Sequence, residues 1–158
     1  MKKNAFYFLL CLMIYGCFPE VETIYVVNNS SQKILALHAL ASDTLLPKDT
    51  IINPETKRIW LKEYDAVPIN PLSTDPIEQE FIINGISKTF VFILSPDTIA
   101  KYTWDVVREN NNILARYCIT PKYLKENKWK VQYPPAPWMK ELEMYPSYDE
   151  IISKTYGE

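Results

Sequence analysis

The sequence predicts a mainly β domain, sandwich-like, decorated by two or three short helices. Three observations lead there. Short runs rich in β-branched and aromatic residues recur between turn signals: Ile24–Val27 (IYVV), Arg58–Leu61 (RIWL), Ile113–Ile119 (ILARYCI) and Lys130–Tyr133 (KVQY). A longer run, Ile86–Leu94, carries Phe90, Phe92 and Leu94 on one face and Val91 and Ile93 on the other, as a central strand does. Helix-start signals are few, and each opens only a short stretch. Strands and turns of this kind fit two packed sheets; an α+β roll with its helices on one face is the alternative.

In chain order, Ile24–Val27 is the first strand, and Asn28-Asn29-Ser30-Ser31 a turn whose side chains hydrogen-bond nearby backbone. Lys33–Leu40 returns from it. The stretch Asp65–Pro76 holds Pro68, Pro71 and Pro76 and reads as loop or sheet edge, since proline lacks the ladder donor. The strongest local signal is Asn84-Gly85, which predicts a type I′ hairpin between Glu80–Ile83 and Ile86–Leu94. Ser95-Pro96-Asp97 then opens a helix, Thr103 caps a second from Trp104 to Asn110, and Thr120-Pro121 opens a third. Pro134-Pro135 stops the last strand. The remainder, 134–158, reads as a tail containing proline and aromatic residues that either lies on the domain or extends from it.

Composition narrows the function classes. The 158 residues suit one domain, and 47% apolar with 23% charged residues is globular rather than disordered. Lys plus Arg total 17 against 19 Asp plus Glu, a formal charge of −2. That balance leaves no basic patch of the size nucleic acid needs.

The N-terminus carries an address. Lys2 and Lys3 precede Ala5–Tyr15, an uncharged apolar run well short of the roughly 20 residues of a membrane span. Ile14-Tyr15-Gly16-Cys17 follows, a small residue directly before cysteine. It resembles the lipobox of bacterial lipoproteins, although Tyr15 is bulkier than usual there. The resemblance implies a signal peptide over 1–16 and a lipidated Cys17 with a short linker over 17–22; the strand and proline pattern beyond it gives a globular domain over 23–133 and the tail over 134–158. The same resemblance implies an outer-membrane lipoprotein of the cell envelope, held to the membrane by lipid on Cys17. Cys118 then has no thiol partner for an intramolecular disulfide and reads as a small buried hydrophobe.

Chemistry is scarce. His38 is the one histidine and lies in an apolar strand, where a structural imidazole accounts for it. With so few His and Cys, no zinc set assembles, and no metal site or cofactor is expected. Phosphate loops, nucleophile elbows and EF-hand loops are missing. Glu78 with Glu80, and Asp105 with Glu109, are close carboxylate pairs, but a solvated helix or strand face explains both. No catalytic residue is assigned, and an enzyme is not expected.

Three Asp-Thr-apolar motifs, at Thr44, Thr50 and Thr98, resemble the sequon for O-glycosylation of exported Bacteroidetes proteins. Asp-Thr also starts strands and helices by bonding local backbone. Trp60, Tyr64, Trp138, Tyr145 and Tyr148 are the more exposed-looking aromatics, whereas Trp104 and Trp129 read as core. Trp138, Tyr145 and Tyr148 are the candidate contacts to a protein partner or a glycan. Pro134-Pro135-Ala136-Pro137 favours extended backbone, preordered for docking.

The order Asp97-Thr98-Ile99, Tyr102-Thr103-Trp104, Asn112-Ile113-Leu114, Arg116-Tyr117, Leu124, Trp129, Tyr133-Pro134-Pro135 and Met144-Tyr145-Pro146 is similar to a group of small uncharacterised Bacteroidetes lipoproteins. The opening IYVVNNSSQKI resembles that group's first hairpin. The resemblance brings no activity with it. The expectation is a non-enzymatic, protein-binding or accessory envelope domain, with a carbohydrate-binding accessory lipoprotein as the alternative.

Overall fold

Every residue of the strand Thr89–Leu94 (β7) is buried, so both its faces need cover and both its edges need partners. The computed structural model, which describes residues 21–40, 50–53, 58–61, 67–82 and 87–157, supplies all four. The other strands are β1 (Val21–Asn28), β2 (Ile34–Leu40), β3 (Thr50–Asn53), β4 (Arg58–Leu61), β5 (Val67–Ile69), β6 (Ser73–Ile82), β8 (Ala115–Ile119), β9 (Lys130–Tyr133) and β10 (Glu143–Tyr145). They form a five-stranded sheet in the order β10-β8-β7-β2-β5, a three-stranded sheet β6-β1-β9 and a separate pair β3-β4. The short helices are α1 (Pro96–Lys101), α2 (Trp104–Glu109), α3 (Pro121–Glu126) and α4 (Tyr148–Tyr156), with a 3₁₀ turn at Pro137–Met139. The fold is mainly β, built on two sheets, and is not a closed barrel.

Side-chain alternation sorts β2 and β7 between two cores. Ile34, Ala36, Val91 and Ile93 face the three-stranded sheet and meet Ile24, Val26, Ile77 and Val131 from it. Leu35, Leu37, Phe90, Phe92 and Leu94 face the other way, where Trp104 and Val107 of α2 and Ile99 of α1 cover them. The layers are therefore three-stranded sheet, five-stranded sheet, then α1 and α2, while α3 and α4 add Leu124 and Ile151 to the core between the sheets. Each large apolar side chain so buried contributes about 1.5–3 kcal/mol.

Two predicted hairpins are not formed. β6 and β7 flank Asn84-Gly85 but belong to different sheets, β6 pairing with β1 and β7 with β2 and β8. Residues 83–86 themselves lie outside the described residues. A strand apolar on both faces gains more from two sheet neighbours than a local turn can offer it. Likewise β1 does not pair with β2: the chain turns a corner between sheets at Asn28, which is fully buried. Asn28 Oδ1 accepts from Ser30 N at 3.0 Å and from Ser30 Oγ at 2.7 Å. Its Nδ2 donates to the carbonyls of Gln32, Ile69 and Asn70 at 2.9, 3.2 and 3.0 Å. The asparagine-serine turn is where the sequence places it, and serves a corner instead of a hairpin.

Helix caps are formed in part. Thr120 Oγ1 accepts from Tyr123 N at 3.2 Å. Ser95 and Thr103 occupy N-cap positions in extended backbone, yet neither side chain makes the capping bond. Pro68 and Pro76 sit in β5 and β6, both sheet-edge strands.

Of the two placements open to the segment after Tyr133, the structure takes the one on the domain, which extends past the predicted boundary at Tyr133. Pro134, Pro135 and Ala136 are buried, Met139 and Ile151 enter the core, and β10 adds to the sheet beside β8. Apolar side chains spaced through 134–151 gain more by completing the core than by standing in water. The segment also holds α4, a helix beyond the predicted set. Ser147 and Glu150 form a reciprocal capping box at its start.

Candidate functional site

Candidate contacts lie on the surface left by this folded-back segment. The Pro137–Met139 turn buries Met139 and thereby turns Trp138 outward, 44% exposed. The indole does not swing freely. It stacks on Tyr123 of α3 with ring centroids 6.1 Å apart, and Tyr123 Oη donates to the Trp138 carbonyl at 3.3 Å. Burial under this stack pushes the Tyr123 phenol up to about 12.

Tyr145 is also 44% exposed, because β10 is an edge strand. The Arg116 guanidinium lies 5.8 Å from its ring and 5.9 Å from that of Phe90. Tyr148 is half-buried at the start of α4, with Lys140 Nζ 5.8 Å from its ring. Cation and ring pairs of this kind hold aromatic side chains in place at a water boundary. The three predicted contacts thus sit on one continuous segment, each ring steadied by a neighbour.

Beside Tyr145, Lys88 Nζ meets Glu143 Oε2 at 3.2 Å. The hydrogen bond from Lys88 lowers the Glu143 carboxyl and raises the Lys88 amine. Cys118 is buried next to them, and desolvation first, then the Glu143 charge, raises its thiol. A thiol held protonated is a poor nucleophile, which fits a packing role.

His38 is buried between the sheets and its Nε2 bonds Thr89 Oγ1. Thr89 spends its single hydrogen on the Ala39 carbonyl at 3.0 Å, so the imidazole is the donor. That is a structural role. Asp105 and Glu109 are exposed on α2, and the side chains of Glu78 and Glu80 lie outside the described residues. Among the described residues no cluster of His, Cys, Asp or Glu is placed to hold a metal ion.

Of the remaining sequence candidates, Cys17, Thr44 and Tyr64 lie outside the described residues, as do the side chains of Thr50 and Trp60. Thr98 is half-buried in the first turns of α1, and its carbonyl accepts from Tyr102 N at 3.0 Å. Trp104 is buried in the core under α2, and Trp129 packs half-buried against the other core, between the sheets.

Sequence reasoning missed a cleft of about 430 Å³ between the 28–32 corner and α4, lined by Ser31, Gln32, Leu114, Tyr133, Lys154 and Thr155 among others. Its polar groups are largely committed to the fold. Ser30 Oγ donates into the corner, and Thr155 Oγ1 donates to the Ile151 carbonyl at 2.8 Å. Burial raises the Tyr133 phenol, against the opposing effect of the neighbouring Thr155 and Gln32 side chains. The cleft is a joint between elements, legible only through the Ser147–Glu150 box that starts α4.

No family model, no curated protein and no solved structure matches this chain.

Proposed function

We propose that this protein is a lipid-anchored, non-enzymatic accessory domain of the bacterial cell envelope that binds another envelope protein. Gly16-Cys17 after Lys2, Lys3 and the apolar run supports the anchor, and the likeness to small Bacteroidetes lipoproteins supports the outer membrane as its location. The observation that carries the binding role is Trp138, an indole half in water yet fixed by its stack on Tyr123. Exposed aromatics that are already ordered lose little entropy on docking, and Trp and Tyr dominate interface energetics. Tyr145 and Tyr148 are further exposed or half-buried aromatics of the same 134–158 segment.

The test is crosslinking in intact cells followed by co-purification, comparing the full chain with Trp138→Ala and Tyr145→Ala chains. A truncation at Tyr133 is unsuitable because Met139 and Ile151 belong to the core. One protein recovered in near-equal amount with the full chain and lost with the variants is the expected result. No specific protein with any of the three overturns the reading.

A second reading rests on the near-parallel Tyr123–Trp138 stack, 29° between planes, whose outer indole face suits a sugar ring. In it the domain is a carbohydrate-binding accessory lipoprotein. Glycan screening that finds a ligand lost in Trp138→Ala favours it; a screen with no ligand removes it.

A further inference from the structure

We infer that the cleft between the 28–32 corner and α4 is a binding site for a carboxylate carried on a short aliphatic chain. This site is independent of the anchor and of the aromatic surface. Cys17 lies outside the described residues, and neither Tyr123 nor Trp138 lines the cleft. Its volume of about 430 Å³ falls in the range of small-molecule sites.

Secondary structure lays out the walls. Along α4, Ile151, Lys154 and Thr155 stand three and four residues apart and so share one face. Ile151 is buried at the foot of that face, whereas Lys154 is exposed at its rim. Opposite them, Ser31 and Gln32 are exposed on the corner. Between the two walls lie Ile113 and Leu114, half-buried ahead of β8, and the buried Tyr133. The cleft is thus apolar at depth and polar at the mouth, which suits an amphipathic ligand.

The walls are ordered in advance. Ser31 stands between Ser30, whose Oγ donates to Asn28 Oδ1 at 2.7 Å, and Gln32, whose amide donates to Ser30 Oγ at 3.3 Å. Leu114 N donates to the Ile93 carbonyl at 2.8 Å. Little ordering is left for a ligand to impose, which lowers the cost of binding. Two groups at the mouth are left over from this framework. Among the described residues, Ser31 Oγ makes no hydrogen bond and Lys154 Nζ no salt bridge.

Charge at the mouth decides the sign of the ligand. Among the described residues that line the cleft, Lys154 alone is charged. Lys33, next to Gln32, is exposed and of the same sign. Glu150, one turn before Lys154, is spent on the helix cap, its Oε2 accepting from Ser147 N at 2.8 Å and from Ser147 Oγ at 2.6 Å. The last turn of α4, to which Lys154 belongs, carries about half a negative charge on its carbonyls. A full ammonium charge exceeds that, so an anion is favoured. The Tyr133 phenol, raised by burial, stays protonated at neutral pH and adds no charge of its own. A phosphate would bring about two charges to one ammonium, whereas a carboxylate brings one. The carboxylate accepts from Lys154 Nζ and Ser31 Oγ, and its aliphatic chain covers Ile113, Leu114 and Ile151. Its source is a free small acid or the C-terminus of a polypeptide that ends in an aliphatic residue.

The test titrates the isotope-labelled full chain, in a nonionic detergent, with hexanoate and with its neutral analogue hexanamide, followed by amide NMR. With hexanoate the amides of Ser31, Gln32, Leu114 and Thr155 shift saturably, with a dissociation constant on the order of 1 mM. Hexanamide binds about fivefold more weakly, and Lys154→Gln weakens hexanoate by about the same factor while Lys154→Arg does not. No saturable shift of those amides up to about 10 mM hexanoate overturns the inference. Hexanoate binding that Lys154→Gln leaves unchanged overturns it too. An acetylated tripeptide ending in leucine, titrated in parallel, separates the sources. Tighter binding of the tripeptide supports the site as one for a polypeptide C-terminus, and tighter binding of hexanoate supports it as one for a free acid.

Discussion

Asn28 Nδ2 donates to the carbonyl of Ile69 at 3.2 Å, joining the end of a strand in one sheet to the end of a strand in the other. The two residues are 41 apart in sequence, and the bond is buried. One carboxamide thereby ties the 28–32 corner to both sheets. Asn28→Ala leaves the Ile69 carbonyl and the corner amides unpaired in the interior, and should lower stability by about 3 kcal/mol. Asn28→Asp keeps the acceptor, loses the donors and buries a carboxylate, so it should fare no better. Urea unfolding midpoints measure both.

The 134–158 segment is part of the cooperative unit. Ile151→Ala should cost about 2–4 kcal/mol, as for any aliphatic side chain removed from a core. A chain ending at Tyr133 should lack cooperative unfolding altogether. Thermal unfolding followed by circular dichroism separates this from a detachable arm, whose loss would leave the transition unchanged.

Lys128, one residue past the Asn127 cap of α3, holds a left-handed backbone at φ 54°, where glycine is the unstrained residue. Lys128→Gly relieves a left-handed backbone position and should raise stability by about 0.5–1 kcal/mol after the added freedom of the unfolded chain is counted. Lys128→Val should lower it by about 1–2 kcal/mol. A glycine variant less stable than the parent in urea would show that the turn is not strained.

Alkali should unfold this protein early. Burial raises the Tyr123 phenol from its ordinary 10.0 to about 12 and raises that of Tyr117 well above its ordinary value, with the neighbouring Tyr133 adding to it. The unfolded chain releases these protons near pH 10 while the fold still holds them, so stability is full below pH 10 and falls as pH rises above it. Tyr117 Oη is buried without a hydrogen-bond partner, which makes Tyr117→Phe neutral or slightly stabilising and shifts the alkaline transition upward. Phenolate absorbance and unfolding midpoint, followed together against pH, check both statements.

How far the fold can be read from residues alone is clearest at β7. Phe90, Phe92 and Leu94 alternating with Val91 and Ile93 specify a strand covered on both faces, and it is one. Thr120-Pro121 and Ser95-Pro96 start helices where they stand. The exposed aromatic residues of the candidate surface, Trp138 and Tyr145, were likewise legible, since their surroundings are prolines and charges. These features are local: periodicity, backbone restriction and capping act within a few residues of the chain.

Tertiary structure alone decided which strand borders which. Asn84-Gly85 carries every mark of a hairpin, but β6 and β7 end in separate sheets because β7 has two edges to fill and β2 and β8 fill them. Asn28-Asn29-Ser30-Ser31 reads as a turn in either case, and only the carbonyls of Ile69 and Asn70 make it a corner. The segment after Tyr133 reads as a tail until Met139 and Ile151 find space between the sheets. Lys130 stands opposite Tyr25 only because β9 runs parallel to β1. Apolar pattern tells a strand how many of its faces must be covered. What covers them, and what completes its hydrogen-bond ladder, is settled by competition among all the elements at once.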